Sequence, residues 1–211
     1  MTTVRPSDTE DLAALDEPVR RLFERIGGPA AATTLDLAAI GAALVDLATD
    51  LDYVGAWVAA LGDESGSRPI HAPARGPRLM IVHRMEGQMG AVHDHATWVA
   101  LAPVVGLETH RRWRVVGGQD GSGHAGDGAR LELVEALALR PSDAATLLPP
   151  DDLHDHGHLA GHGQPAHVLI MTGDDQRRFR RNEWDLATGR HRFLEPGDRG
   201  RWIATEPMPG A

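Results

Sequence analysis

The chain has 211 residues, and its 21 basic and 30 acidic side chains give a net charge of −9 with histidine neutral. An acidic balance argues against nucleic-acid and anionic-membrane partners, because both select a basic protein face. All of the basic residues are arginine and there is no cysteine. This composition excludes lysine Schiff bases, disulfides, thiolate metal ligands and cysteine nucleophiles. With a polar N-terminus and no apolar run of membrane length, a soluble cytoplasmic protein is expected.

Residues 1–62 predict a helical region that packs on the domain after it. Apolar side chains recur at helical spacing from about residue 9 to residue 27, where a Gly-Gly-Pro sequence ends the pattern. A second helix is predicted to begin at Thr34, and a third covers 51–61. The stretch 62–78 is rich in glycine, proline and serine and predicts a connection.

From Leu79 onward, short apolar runs separated by turns predict an all-β structure. The predicted strands are 79–84, 97–105, 111–116, 129–139, 144–148 and 166–172, with a further one at 192–194. The glycine-rich stretch 117–128 predicts a loop. A β-sandwich or barrel over 63–211, with a C-terminal extension, is the simplest assembly.

Two histidines separated by one residue, His93 and His95, are the most informative feature of the chain. Side chains alternate along a strand, so both imidazoles should point to the same face. A third histidine, His154, follows a Pro-Pro turn far down the chain. Three imidazoles would form a facial metal site with open coordination positions, which indicates chemistry rather than scaffolding. The alternative is that these are surface histidines without a ligand.

The residues around this motif resemble the cysteine dioxygenase group of cupins, and within it the bacterial thiol dioxygenase-like (mercaptopropionate dioxygenase-like) members. The resemblance covers roughly 68–189 and depends on Gly87, His93-Asp94-His95-Ala96-Thr97-Trp98, Gly106, Leu153-His154, Gln164-Pro165-Ala166 and Trp184-Asp185. It implies a double-stranded β-helix (jelly-roll) barrel. It also implies Fe(II) bound by His93, His95 and His154, and O2 as the oxidant that gives a sulfinic acid. Nickel, copper or zinc would also suit three histidines.

The chain departs from this family beside the expected metal. Many cupins carry a glutamate a few residues after the second histidine, and animal cysteine dioxygenases carry a cysteine at that position. In this chain the position is occupied by Val99. The family's Ser-His-Tyr relay matches Val168, Ile170 and Thr172. The single tyrosine, Tyr53, falls in the helical region, so the ordinary thiol dioxygenase activity is in doubt.

An anionic substrate requires a counter-charge, for which arginine is suited because its planar fork binds a carboxylate with two hydrogen bonds. The resemblance favours Arg68, near the family's carboxylate-binding arginine, and Arg84 is the second candidate. A solvated surface role is the alternative for both. Trp98 could form a wall of the pocket or pack in the core. His167, close to the missing relay, is the candidate catalytic proton donor.

Two charged stretches allow two interpretations each. The histidine-rich segment 154–167 predicts either a second metal site or proton relay, or a polar loop after the ligand strand, which we prefer. The Arg177-Arg178 and Arg180-Arg181 pairs predict a solvated face or internal ion pairs.

The leading hypothesis is an Fe(II)-dependent cupin oxygenase, a monomer or homodimer, that acts with O2 on a small anionic substrate, most simply a thiol carboxylate. The rival hypothesis is a non-oxidative metal-binding cupin that binds or senses a small molecule. The missing relay favours the rival, and the intact three-histidine set favours the enzyme.

Overall fold

Three helices precede the strands in a computed structural model that describes residues 15–27, 36–62, 66–117, 130–186, 190–198 and 202–204. They are α1 (Glu17–Arg25), α2 (Leu37–Thr49) and α3 (Leu51–Leu61). Asp36 and Asp50 cap α2 and α3, because each carboxylate accepts a backbone N–H of the first turn. The predicted starts at residue 9 and at Thr34 lie outside the described residues. None of these helices has the length and apolar character that crossing a bilayer requires.

Thirteen strands follow in the part of the chain that the structure describes. They are β1 (Gly66–His71), β2 (Arg78–Arg84), β3 (Gln88–Gly90), β4 (Val92–His93), β5 (Val99–Val105), β6 (Glu108–Val116), β7 (Arg130–Leu139), β8 (Ala145–Leu147), β9 (His154–His158), β10 (Ala166–Thr172), β11 (Arg181–Asp185), β12 (Arg190–Leu194) and β13 (Trp202–Ala204). The all-β prediction is confirmed. Strand β1 corrects the interpretation of 62–78 as a connection, and β9 corrects that of 154–158 as part of a loop.

The strands form two antiparallel sheets that face each other. Sheet A has the order β1-β2-β10-β5-β8; in sheet B, β12-β11-β4-β9-β3-β13 lie side by side, and β6 joins β9 to β7. Side chains of both sheets meet in the interior, where Arg84 of β2 lies 3.8 Å from Glu108 of β6. Two facing antiparallel sheets agree with the double-stranded β-helix (jelly-roll) barrel that the resemblance implied, and three helices precede them.

Sheet A lies between two apolar clusters, because side chains alternate along its strands. The outward cluster joins the sheet to the helices; its sheet members include Leu79, Ile81, Ala100, Leu169 and Met171. The inward cluster includes Val82, Val99, Leu101, Val168 and Ile170. The helices therefore share one core with sheet A. Each fully buried aliphatic side chain in that core contributes about 1.5–3 kcal/mol to stability.

Sheet B has a polar inner face and a small apolar cluster outside, formed by Val92, Leu153 and Trp184. Asp155 points outward between two inward histidines and is nevertheless fully buried. Its carboxylate accepts from Arg111 Nε at 2.9 Å, from a second Arg111 nitrogen, and from Trp113 Nε1 at 3.1 Å. The Arg111–Asp155 pair therefore fixes the back of the strand β9.

Candidate metal centre

The imidazoles of His93, His95 and His154 converge on one point of the barrel interior. His93 ends β4, His154 begins β9, and the two form a cross-strand pair. His95 lies after β4, and the chain turns at once because Ala96 has φ of 54°. His93 Nε2 and His95 Nε2 are 3.0 Å apart, and one ligand atom from each of the three histidines lies within 4.8 Å of the others. The three predicted ligands are thus brought together, although a turn rather than strand alternation orients the second.

Backbone carbonyls determine which ring nitrogen is available. His93 Nδ1 lies 2.8 Å from Ala91 O, and His154 Nδ1 lies 2.7 Å from Asp152 O. Because a carbonyl only accepts, each Nδ1 carries the proton and donates, which leaves the Nε2 lone pair unused. The buried His154 Nε2 has no partner among the described residues. Two nitrogens at about 2.1 Å from one ion and at right angles are about 3.0 Å apart, so the spacing of His93 and His95 fits a shared ion.

Burial keeps these imidazoles neutral. Desolvation lowers the pKa of His93, and together with neighbouring imidazoles it lowers the pKa values of His95 and His154 well below their ordinary range. Neutral imidazole is the form that binds metals. The backbone N–H of His95 also donates to Asp152 Oδ2 at 2.8 Å, which holds the turn in place. The residues present therefore fit a divalent transition metal with three neutral nitrogen ligands.

A buried polar cluster of His156, Glu108 and Arg84 lies beside the three histidines. His156 Nδ1 lies 2.7 Å from Glu108 Oε1 and 3.3 Å from Arg84 Nη2. Burial raises the pKa of Glu108 and lowers that of Arg84, while the charge of each opposes the shift of the other. At the shorter distance His156 donates its Nδ1 proton to the carboxylate, so Nε2 keeps its lone pair.

A cavity of about 550 Å³ opens beside this centre, and its two walls differ. Sheet B provides polar side chains, among them His93, His95, His156, Arg181 and Glu183. Sheet A provides the apolar side chains Met80, Val82 and Ile170, and Arg78 and Arg84 lie at the two ends of the same face of β2. The cavity can therefore hold an organic ligand between a metal-binding wall and an apolar wall.

Arg181 is the cavity arginine that is best placed to bind an anion. It is 3% exposed, and Glu183, two residues along β11, pairs with His93 of β4, so Arg181 lies on the same face of β11 as Glu183 and lines the same cavity as His93 and His95. Its Nη1 donates to Gln176 Oε1 at 3.0 Å and its Nη2 to the Asp198 carbonyl at 3.3 Å. Both acceptors are uncharged, and among the described residues no carboxylate forms an ion pair with Arg181. Desolvation lowers its pKa, but an arginine stays charged at neutral pH.

Arg84 also lines the cavity, whereas Arg68 does not. Ser67 and Pro69 line the cavity, and Arg68 between them is exposed and pairs with Ile81, whose side chain belongs to the outward cluster. The structure therefore places Arg68 on the outer face of β1, away from the metal centre, because alternation turns it outward.

Trp98 and His167 also lie away from the cavity. Trp98 is half-buried against the outward cluster, which corresponds to the core-packing alternative. His167 stacks on His83 with ring centroids 4.4 Å apart, on the face of β10 opposite to Ile170 and Thr172, which line the cavity. His167 is therefore not in a position to donate a proton at the metal centre.

Sequence reasoning did not assign Glu108 or Arg181 to the site, and for the segment that contains His156 it preferred a polar loop to a proton relay. The sequence does contain a signal for strand β9, because histidine recurs at every second residue, as it would on one face of a polar β-strand. His154, His156 and His158 alternate with Asp155 and Gly157, and the residues of 154–158 are all buried.

No protein-family model matches the chain, and no curated protein matches its sequence. Among solved structures, a hydroquinone 1,2-dioxygenase from Sphingomonas sp. with 4-hydroxybenzoate bound is 15% identical, over 56% of this chain and 71% of that one, with a TM-score of 0.40. An uncharacterized Klebsiella pneumoniae protein with a double-stranded β-helix domain is 14% identical, over 64% of this chain and 82% of that one, with a TM-score of 0.38. An RmlC-like cupin from Desulfovibrio desulfuricans is 11% identical, over 52% of this chain and 82% of that one, with a TM-score of 0.36. These likenesses concern the fold alone.

Proposed function

We propose that this protein is a mononuclear, Fe(II)-dependent cupin oxygenase of the thiol dioxygenase type, with an organic anion and O2 as substrates. The convergence of three buried, neutral imidazoles on the wall of a cavity that also holds a buried arginine carries this proposal. When bound, a redox-active divalent ion would supply open coordination positions and a path for electrons from the substrate to O2. Nickel, copper and zinc would suit the same ligands, and only a redox-active ion suits oxidation.

Arg181 would bind the anionic group of the substrate. Its guanidinium is held by two uncharged acceptors, so its positive charge is not neutralised by a direct ion pair. Arg84 is less suited, because Glu108 lies 3.8 Å from its Nε. A guanidinium can bind a carboxylate with two hydrogen bonds, which would fix the orientation of the substrate in the cavity.

The His156–Glu108 pair would take up the proton that leaves the substrate. Burial lowers the pKa of His156 well below its ordinary range and raises that of Glu108 to about 7, so the imidazole would pass the proton on to the carboxylate. The Nδ1–H of His156 is fixed on Glu108, so Nε2 is the atom that can accept a proton from a thiol or hydroxyl group. Of the three relay positions, Val168 and Ile170 are apolar, and the Thr172 hydroxyl donates to the Asp174 carbonyl at 2.9 Å. The His156–Glu108 pair is therefore the proton-handling group that this interior offers in place of the relay.

A non-oxidative metal-binding cupin is the second candidate, and the lack of a phenol at the relay positions favours it. Anaerobic loading with Fe(II), metal analysis, and oxygen uptake with cysteine, 3-mercaptopropionate and 8-mercaptooctanoate separate the two. The oxygenase predicts about one ion per chain, and one O2 consumed per thiol converted to sulfinic acid. Both should be lost in His95→Ala, whereas Arg68→Ala should retain both. Stoichiometric iron without oxygen uptake on any thiol would favour the non-oxidative cupin instead.

A further inference from the structure

The apolar wall of the cavity is the middle part of the inner face of sheet A, between Arg78 and Arg84 of β2. Met80 pairs directly with Ile170 across β2 and β10, and Val82 pairs with Val168 one step further along. Met80, Val82 and Ile170 line the cavity and carry no charged or hydrogen-bonding group. Leu194, which pairs with Arg181 across β11 and β12, continues the apolar lining beside the guanidinium. A ligand held at Arg181 would therefore also lie against hydrocarbon.

The volume of the cavity exceeds what a three-carbon thiol acid would fill. Such an acid has six non-hydrogen atoms, and even at the ~30 Å³ that a water molecule takes in the liquid they need about 180 Å³. The cavity measures about 550 Å³, which lies in the range of pockets that bind larger organic ligands. A ligand of that size would displace water from the apolar wall, whereas a three-carbon acid would leave the wall wet.

We propose that the ligand of this cavity is an amphipathic organic acid. Its anionic end lies at Arg181, and its apolar body covers Met80, Val82 and Ile170. This inference rests on the proposed function in that it names the substrate class of the same site. It requires the ligand to bind there, and it does not require the metal to activate oxygen.

The proposal predicts how affinity depends on chain length. Burying one methylene is worth about 0.8 kcal/mol, which corresponds to roughly a fourfold gain in affinity per carbon. Between propanoate and octanoate the gain should be roughly 100-fold or more, and it should level off once the wall is covered. A neutral chain such as octan-1-ol lacks the partner for Arg181 and should bind more weakly than octanoate.

Calorimetric titration of the Zn(II)-loaded full chain with propanoate, hexanoate, octanoate and octan-1-ol tests the proposal without turnover. Arg181→Ala should weaken all three acids by a similar factor. Val82→Thr, which keeps the shape of the side chain and adds a hydroxyl group, should reduce the gain per carbon and leave propanoate unchanged. Arg68→Ala, on the outer face of β1, is the matched control and should bind like the wild type.

Equal affinities for propanoate and octanoate in the wild type would overturn the proposal, even if neither cavity variant folds. Acid affinities that stay unchanged in Arg181→Ala, or a chain-length dependence that stays unchanged in Val82→Thr, would also overturn it, because the acids would then bind elsewhere. The oxygen-uptake experiment reports on the proposed function separately. A protein that binds octanoate as expected and consumes no O2 would retain this inference and lose the oxygenase.

Discussion

The Arg111–Asp155 pair gives a prediction about what stabilises the metal-binding strand. Asp155 lies between His154 and His156 and is completely buried, and it accepts hydrogen bonds from two Arg111 nitrogens and from Trp113. Arg111→Met would leave this carboxylate inside the protein with a single donor. Breaking a buried ion pair by removing one partner costs about 3–5 kcal/mol, so we expect the free energy of unfolding to fall by about that amount.

Urea unfolding of the metal-free protein at neutral pH measures this loss. The double variant Arg111→Met, Asp155→Leu should lose far less than the sum of the two single variants, because apolar side chains then replace both charges. The exposed pair of Arg114 and Glu132 is the matched control, and Arg114→Met should change stability little because water screens both groups. A loss below about 1 kcal/mol for Arg111→Met would refute the reasoning, since it would mean that water solvates Asp155.

Three further measurements test the site and its surroundings. Burial lowers the pKa of His110 from 6.5 to about 4, so the unfolded chain binds this proton more readily than the folded protein. The stability of the metal-free protein should therefore be retained above about pH 6.5 and fall towards pH 4, by about 3 kcal/mol for this residue; in urea titrations His110→Phe should lose less. Arg181→Ala should raise the KM for an anionic substrate roughly 30- to 150-fold, whereas Arg68→Ala should not, and equal effects would contradict the assignment. Gly173→Ala should lower the free energy of unfolding by about 1–3 kcal/mol, and with it the melting temperature, because the new Cβ would overlap Trp98 Nε1. An unchanged melting temperature would show that Trp98 moves freely.

Strands β2, β5, β8 and β10 of sheet A could be predicted from the sequence because apolar side chains dominate them, whereas the edge strand β1 was not predicted. Strands β2 and β10 lie between two apolar clusters, so their hydrophobic runs stand out at 79–84 and 166–172. Strands β9 and β11 belong to the polar wall, and their side chains are histidines, acids and arginines. Composition marks such segments as solvated. Only the closure of the barrel, which brings distant strands together, explains their burial.

The metal centre was predictable because His93 and His95 are separated by only one residue and His154 follows a Pro-Pro turn. The choice among arginines depended on strand face and register, which one sequence does not provide. Arg68 alternates to the outer face, while Arg181 reaches the cavity through the pairing of Glu183 with His93. The choice of His167 as the proton donor also depended on strand face. His167 lies on the face of β10 opposite to Ile170 and Thr172, so it does not reach the cavity.

The placement of metal ligands on sheet B and of most buried hydrocarbon on sheet A has a consequence for mutational tolerance. The helices and both larger apolar clusters stabilise sheet A, so replacing His93, His95 or His154 removes little of the packing on which folding depends. Variants at these three positions should therefore remain well folded, and substitutions in the polar wall could accumulate in single steps without first acquiring compensating stability.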